Sequence, residues 1–514
     1  MTDAEGKNQG TTSAEAASAS SAAQPKASEA TAPEAAQTSA DAKASSAKGG
    51  SKDAPHWYEM SARQVLMHLL FAVAVGVVTG FASVILCICI DWSYKLFMAA
   101  PWLLWVLPVM GILQLLLYHF FKLPGDLTTH RVVDRIRKDE NVSPTLAPGI
   151  LIATCMSILC GGSVGKEAGA LQMGASLGSL VSRPFKLRSV YKRNADESMD
   201  GYAAATGMAS CFSALFFAPI GAAFFVLELS HYNKAVLRHA LTILIACFVA
   251  FLISSTIGIG DIINKVDIPA IDWHIVGQVV VIGVAAAFAG TIFDSVIKWV
   301  HDLTWRITNN LYVWVVVGGL LFAILVTCFG WMDFTGSGGN NLNDALAGKF
   351  GPWDFAIKML LTAVCLSLWL KGGEIMPSFC IGGLLGASCT YLTGGSPEFG
   401  AAIGCMCFLA AFSRCPLAAF FMGCEIFGWA AAPFLAIGVA IAMLCGSPVG
   451  MYGDGVDRAV RTRWHFFSEN VRKRRFAESN AKYQNVGALQ KVSTVEDALK
   501  ETFDSTENKT PHPD

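Results

Sequence analysis

A chain of 514 residues that is 53% hydrophobic and only 15% charged, with a mean hydropathy of +0.47, is too apolar for a water-soluble domain and reads as a polytopic membrane protein. Its net charge of −1 excludes nucleic acid as a partner, which would require a basic excess. The 15 cysteines stand mostly singly inside apolar runs, as in Leu86–Ile90 and at Cys155, Cys160, Cys211 and Cys405, so they read as small buried hydrophobes without disulfide or metal-ligand spacing, and no cofactor or metal is implied.

Taken in order, residues 1–55 are Ala, Ser, Thr, Glu, Gln and Lys with almost no large apolar side chains, a composition that cannot offset the entropy of ordering and predicts a disordered tail. No cleavable signal peptide is evident. From His56 the chain looks like an interfacial lead-in; Met67–Trp92 and Leu96–Phe121 are apolar runs able to span a bilayer. The polar stretch Leu123–Pro144 opens on a Pro-Gly break and reads either as an aqueous loop or as a short re-entrant helix beginning near Asp126. Leu146–Cys160 is apolar but short. Arg183–Arg193 carries five basic residues and no acid, which places it in the cytoplasm. Two short segments, Gly201–Ala214 and Phe217–Leu229, precede longer spans at Ala235–Ile257, Val276–Val300 and Leu311–Phe329. After a Gly-rich polar stretch, Phe334–Gly348, come Ala356–Leu370, Ala401–Phe412, Pro416–Phe427 and Ala431–Leu444. This divides the chain into a first membrane repeat over 56–230, a second over 231–455, and a basic tail over 456–514, also cytoplasmic.

The stretch around which the rest is organised is Gly161–Val181. It puts Lys166 and Glu167 inside lipid-depth sequence, where charges cost several kcal/mol, are shielded by protein or water, and mark ion or proton paths. Gly161, Gly162 and Gly165 break the run ending at Cys160, so a helix starts near Lys166 within the hydrophobic region. Broken helices of this kind aim unsatisfied N–H groups and a positive dipole end into a cavity that suits an anion. Glu167 stands where that anion would bind, and a carboxylate competing with an anion for one site is a gate. The plainer alternative is a structural residue paired with Lys166 or lying at a membrane surface. A second intramembrane acid, Glu374, sits in Lys371–Leu392; desolvation beside the site favours its protonated form, or it is a second proton carrier, the plainer alternative being a carboxylate that caps the helix start.

The two halves repeat. Aligning Gly207 with Gly404 brings Pro219 onto Pro416, Ala222 onto Ala419, Phe224 onto Phe421 and Glu228 onto Glu425 without a gap. Upstream, Gly161-Gly162 with Gly174-Ala175-Ser176 recurs, within a residue, as Gly372-Gly373 with Gly386-Ala387-Ser388. Short Gly- or Pro-interrupted segments in corresponding positions point to a transport site at the repeat interface near the midplane.

Over nearly all of residues 57–465 the chain resembles the CLC family of anion channels and proton-coupled anion transporters. Gly165-Lys166-Glu167 looks like that family's G-[KR]-E-G-P motif, with Ala168 and Gly169 in place of Gly-Pro, and Gly373-Glu374-Ile375-Met376-Pro377 resembles its G-I-F-x-P motif. The family's G-S-G-I-P motif has no counterpart, so Asp126, Thr128 or Thr129 stands in its place; the inner proton-relay glutamate is Leu229; and Tyr452 lies two residues beyond the ungapped slot of the pore tyrosine, which Gly450 holds. These departures, with an acid inside G-G-E-x-x-P, are similar to the fluoride-exporting branch, although that branch usually has Thr where this chain has Met376.

The resemblance implies an all-α polytopic homodimer of inverted repeats with broken, tilted helices, in the plasma (inner) membrane. It further implies a halide, fluoride or chloride, exchanged for protons, with Glu167 and Glu374 gating and Gly165, Lys166, Glu167, Glu374, Ile375, Met376, Thr128, Thr129 and Tyr452 around the anion. The alternatives are a chloride/proton exchanger or passive channel of the same fold and, in a different class, a cation transporter using the two carboxylates, which the helix-start pattern disfavours. An enzyme is not expected: His68, His119 and His130 have no G-x-S-x-G or H-E-x-x-H partner.

Overall fold

The computed structural model describes residues 62–188, 198–231, 233–260 and 265–454. The expected disordered N-terminal tail, the lead-in at His56, part of the basic stretch Arg183–Arg193 and the basic C-terminal tail lie outside the described residues.

Helix α1 (Ala62–Ala99) runs through the first apolar stretch, and the turn expected after Trp92 falls instead at Ala100, where Pro101 opens a 3-10 turn that leads into α2 (Leu107–Phe120). The polar stretch resolves in favour of a helix. Helix α3 (Thr129–Arg137) buries Val132, Val133 and Ile136 on one face while Arg131 stays exposed, and it starts three residues later than Asp126. Helices α4 (Leu146–Leu159) and α5 (Glu167–Ser182) are the broken pair. Helices α6 (Asp200–Phe216), α7 (Pro219–Leu229) and α8 (Lys234–Arg238) follow, with α9 (Ala240–Ile257) split from α8 at His239. The long α10 (Trp273–Ile307) and α11 (Leu311–Phe329) lead to α12 (Gly339–Leu346), which occupies the Gly-rich stretch. Helices α13 (Asp354–Ser367), α14 (Ile375–Leu392), α15 (Pro397–Ser413), α16 (Pro416–Phe427) and α17 (Ala432–Cys445) complete the membrane part, and a hairpin of β1 (Val449–Gly450) and β2 (Gly453–Asp454) ends it.

Helices α5, α6, α14 and α15 are buried along almost their whole length, whereas α1, α9, α10 and α11 keep rows of Leu, Val, Ile and Phe exposed, the distribution expected when protein fills the centre and lipid the outside. Small residues let the central helices touch backbone to backbone. A Cβ on Gly174 would overlap the Gly207 carbonyl, and one on Gly404 would overlap that of Gly382.

The repeat shows in the backbone. Phe217 (φ 55°) and Arg414 (φ 59°) end α6 and α15 in the left-handed conformation, each two residues before the proline that starts the next helix. That register agrees with aligning Gly207 on Gly404. Upstream the register differs from the expected one. Glu167 and Ile375 begin their helices, so Gly174 corresponds to Gly382 and Gly178 to Gly386, one helical turn away from pairing Gly174 with Gly386. Glycines recurring every four residues on both helices make a one-turn slip invisible to composition; only backbone contact separates the two. Glu374, the residue before its helix, therefore corresponds to Lys166, and the two intramembrane acids are not equivalent by the repeat.

Candidate functional site

The site begins with two chain breaks. Helix α4 stops at Gly161 (φ 73°), where an added Cβ would overlap the Phe97 ring. The chain then crosses to Gly165, which exchanges two backbone hydrogen bonds with Gly373, each 2.6 Å, as an isolated antiparallel bridge. Both positions are crowded: at Gly373 a Cβ would lie 2.7 Å from the Ala168 backbone nitrogen, and at Gly165 it would displace the Glu167 carboxylate from where it rests. Immediately beyond this bridge α5 and α14 start. The first N–H groups of a helix have no partner within it, so two positive helix ends converge on one spot.

Glu167 is fully buried and folds back over this junction, its Oε2 accepting from the Met376 N–H at 3.2 Å. A carboxylate oxygen thus occupies the place that the α14 backbone offers to an anion. Glu374, 5% exposed, makes no capping hydrogen bond to its helix, which removes the capping alternative; its Oε1 accepts from the Tyr452 hydroxyl at 2.5 Å. Tyr452 reaches that far because the hairpin absorbs the two extra residues and puts Tyr452 in its turn.

Two cavities approach the junction. One, of 160 Å³, is walled by Asp91, Tyr94, Ser337, Asn341, Lys166 and Met376; the other, of 370 Å³, by Thr128, Thr129, Lys371, Trp369, Glu374 and Tyr452. They belong to opposite ends of the molecule. Asp91 and Tyr94 lie near the C-terminal end of α1. His68, near its start, donates from Nε2 to the Arg188 carbonyl at 2.8 Å, roughly 35 Å of helix away at about 1.5 Å per residue. The end at which α1 starts also holds the hairpin side of the second cavity: His239, directly after α8, stacks on His68 with ring centroids 4.5 Å apart, Asn233 at the start of α8 donates to the Ile136 carbonyl of α3 at 3.3 Å, and Arg137 of α3 donates to the Tyr452 carbonyl at 2.9 Å.

The structure divides the expected residues between the two cavities, Lys166 and Met376 on the smaller and Thr128, Thr129, Glu374 and Tyr452 on the larger. Thr128 precedes α3 with no side-chain capping bond and faces the larger cavity; Thr129 is buried and its hydroxyl accepts from Gln172 at 3.1 Å, while Asp126 turns to Arg131 at 2.6 Å. Lys166 and Ile375 flank the bridge at the helix starts. Lys371 and Lys358 are buried cations beside the cavities. The Lys371 ammonium donates to the carbonyls of Gly125 (2.6 Å) and Leu127 (3.1 Å) and lies 4.7 Å above the Tyr118 ring, fixing the segment that leads into Thr128. Its own backbone is tied to α2 and α4, its N–H donating to Gln114 at 3.1 Å and its carbonyl accepting from Ser157. Lys358, fully buried, donates to the carbonyls of Phe334 (2.9 Å) and Gly336 (2.8 Å), bracing the wall of the smaller cavity. The signal that singled out Glu167, a lone charge in apolar sequence, applied equally to both.

Residues 125–447, more than half of the chain, match the family described as voltage gated chloride channel. The chain belongs to the CLC family. Among its relatives, the chloride/fluoride channel protein of Pseudomonas syringae pv. tomato is 29% identical over 75% of this chain and 85% of its own length. The H(+)/Cl(-) exchange transporter ClcA of Klebsiella pneumoniae subsp. pneumoniae is 28% identical over 44% and 48%, respectively. The fold is shared with a crystal structure of a CLC-type fluoride/proton antiporter at TM-score 0.69 and 24% identity, covering 77% of this chain and 98% of that one. It is also shared with a slow cyanobacterial Cl-/H+ antiporter at TM-score 0.64 and 17% identity, over 79% and 98%. CLC membership makes this a multi-pass membrane protein for anion transport, and the inverted-repeat, all-helical architecture is that of the family, with the small hairpin as its exception.

Proposed function

We propose that this protein exchanges a halide, fluoride before chloride, for protons, with Glu167 as the gate and Glu374 as the inner proton carrier. The observation that carries the reading is the pair of hydrogen bonds at the junction, Met376 N–H to Glu167 and Tyr452 O–H to Glu374. An anion arriving through either cavity competes with the Glu167 carboxylate for the α14 N–H groups, and a protonated Glu167 surrenders them. The proton taken up from one side leaves on the other when Glu167 rotates, and Glu374 hands it to the cavity that it walls. Leu229 stands where chloride/proton exchangers of the family keep their inner glutamate, so Glu374 takes that task here. Lys166, Gly165, Ile375, Thr128 and Thr129 line the anion's route.

A relative described as a chloride/fluoride channel protein and a fold neighbour described as a fluoride/proton antiporter support fluoride as the ion. Met376 favours chloride as a second reading. Fluoride is the more strongly hydrated ion, and a thioether offers no strong donor to offset its dehydration. The membrane orientation that suits the basic residues Arg183, Lys186 and Arg188, at the end where α1 begins, puts both tails and the larger cavity in the cytoplasm of an inner-membrane homodimer. Purified protein in liposomes loaded separately with fluoride and chloride, with proton movement recorded, tests the proposal. Faster proton-coupled efflux of fluoride is the expected result, and efflux of chloride alone would remove the fluoride assignment.

A further inference from the structure

Tyr452 sits in a hairpin too small to hold itself. Its strands are two residues each, paired as Val449 with Asp454 and Gly450 with Gly453, and even a full isolated two-stranded hairpin is marginal. The hairpin is instead held from outside through its carbonyls. On one side the Lys298 ammonium of α10 donates to the Gly450 carbonyl at 2.7 Å while held by Asp294 at 2.7 Å. On the other, the Arg137 guanidinium at the end of α3 donates Nη2 to the Tyr452 carbonyl at 2.9 Å, Nε to the Leu229 carbonyl at 2.9 Å and Nη1 to Asp134 at 3.1 Å. The Met451 N–H completes the frame by donating to the Phe412 carbonyl at 3.0 Å. Phe225 and Phe412 meet the Tyr452 ring edge-on, at 88° and 68°.

We propose that Arg137 and Lys298 are positioning residues for the inner proton carrier: they clamp the hairpin so that the Tyr452 hydroxyl reaches Glu374. The need is particular to this chain, whose tyrosine comes two residues late and would otherwise have no fixed backbone to stand on. Arg137 spans three structural groups at once, the end of α7, the hairpin turn and its own helix, and the planar fork of the guanidinium suits such divergent acceptors where a single ammonium would not. The clamp acts on the proton carrier through Tyr452; Arg137 stands outside both cavities, while Lys298 also lines the larger one, so the clamp is read from the proton-to-anion ratio and not from anion flux alone. It therefore rests on the reading of Glu374 as a proton carrier.

The experiment measures the ratio of proton to anion flux in proteoliposomes for Glu374→Gln, Tyr452→Phe, Arg137→Gln, Lys298→Gln and the double variant Arg137→Gln/Tyr452→Phe. Losing a short hydrogen bond to a charged or buried partner is worth about tenfold, so the ratio falls about tenfold in Tyr452→Phe and to a similar level in each clamp variant. The double variant falls no further than Tyr452→Phe alone. Lys298→Arg, which keeps a donor toward Gly450, recovers most of the ratio, whereas Arg137→Lys, which loses the fork, stays near the Arg137→Gln value, a split that a merely structural loss would not show. A reduced ratio in Glu374→Gln and Tyr452→Phe with a normal one in Arg137→Gln and Lys298→Gln overturns the clamp alone, as do additive losses in the double variant. A normal ratio in Glu374→Gln overturns the proton-carrier reading and the clamp with it. Should Arg137→Gln not yield folded protein, Lys298→Gln carries the same test, because its acceptor, Gly450, belongs to the same hairpin.

Discussion

Among the described residues, the α7/α16 crossing and the α5/α14 junction each set a carboxylate against the start of another helix, and they are built differently. At the α7/α16 crossing the arrangement is reciprocal: Glu228 accepts from the N–H groups of Leu417 (3.1 Å) and Ala418 (2.9 Å), and Glu425 accepts from those of Ile220 (2.9 Å) and Gly221 (2.8 Å). Phe224 and Phe421 stack between them, ring centroids 4.6 Å apart. At the α5/α14 junction the repeat is broken. Lys166 faces one way where Glu374 faces the other, Glu167 takes the Met376 N–H at 3.2 Å, and Glu374 turns to Tyr452 at 2.5 Å. The first arrangement keeps its acids by bidentate, matched capping; the second places its acids between two cavities and gives them different partners. A device that serves as a fastener when symmetric becomes a candidate gate when the symmetry is removed.

The largest effect expected from breaking this contrast is at the bridge both helices share. Gly373→Ala forces a Cβ to 2.7 Å from the Ala168 backbone nitrogen and to 3.0 Å from the Gly165 carbonyl, an overpacking that costs about 3 kcal/mol and is read as a marked loss of folded protein on size exclusion. Next come the fasteners. Glu228→Ala and Glu425→Ala each leave two N–H groups at a helix start without their acceptor, costing about 2–5 kcal/mol, read as a lower unfolding temperature in detergent, while the proton-to-anion ratio of whatever folds stays at the wild-type value. Equal loss of coupling in these variants would erase the distinction between fastener and gate.

How much of this was legible beforehand follows from the same contrast. Glu167 and Glu374 stood out because charge inside apolar sequence is costly, and the Gly207/Gly404 alignment held because Pro219 and Pro416 anchor it. The glycine register upstream did not hold, since a spacing of four repeats along the helix and permits a one-turn slip. Helix α3 is ambiguous in sequence because the apolar part of its buried face is only Val132, Val133 and Ile136. The hairpin under Tyr452 was not legible at all: two-residue strands carry no periodicity, and what holds them, Arg137 and Lys298, lies far away in the chain.

Smaller effects sharpen the gate itself. Glu374→Gln retains an amide oxygen that accepts from Tyr452 and so changes stability by less than about 1 kcal/mol, yet it carries no exchangeable acid proton; proton flux drops about tenfold or more relative to anion flux. Met376→Thr, the smallest change, adds one hydroxyl donor beside the α14 start and raises the preference for fluoride over chloride by up to about tenfold, the worth of one hydrogen bond, as measured by competing efflux of the two ions.

The most direct test of the gate is whether an outward fluoride gradient drives protons uphill through reconstituted wild-type protein and through Glu167→Gln. The account predicts uphill proton movement in the wild type and none in Glu167→Gln, whose side chain still fits over Gly165 and no longer exchanges a proton. Equal proton movement in both, or none in the wild type, would contradict it.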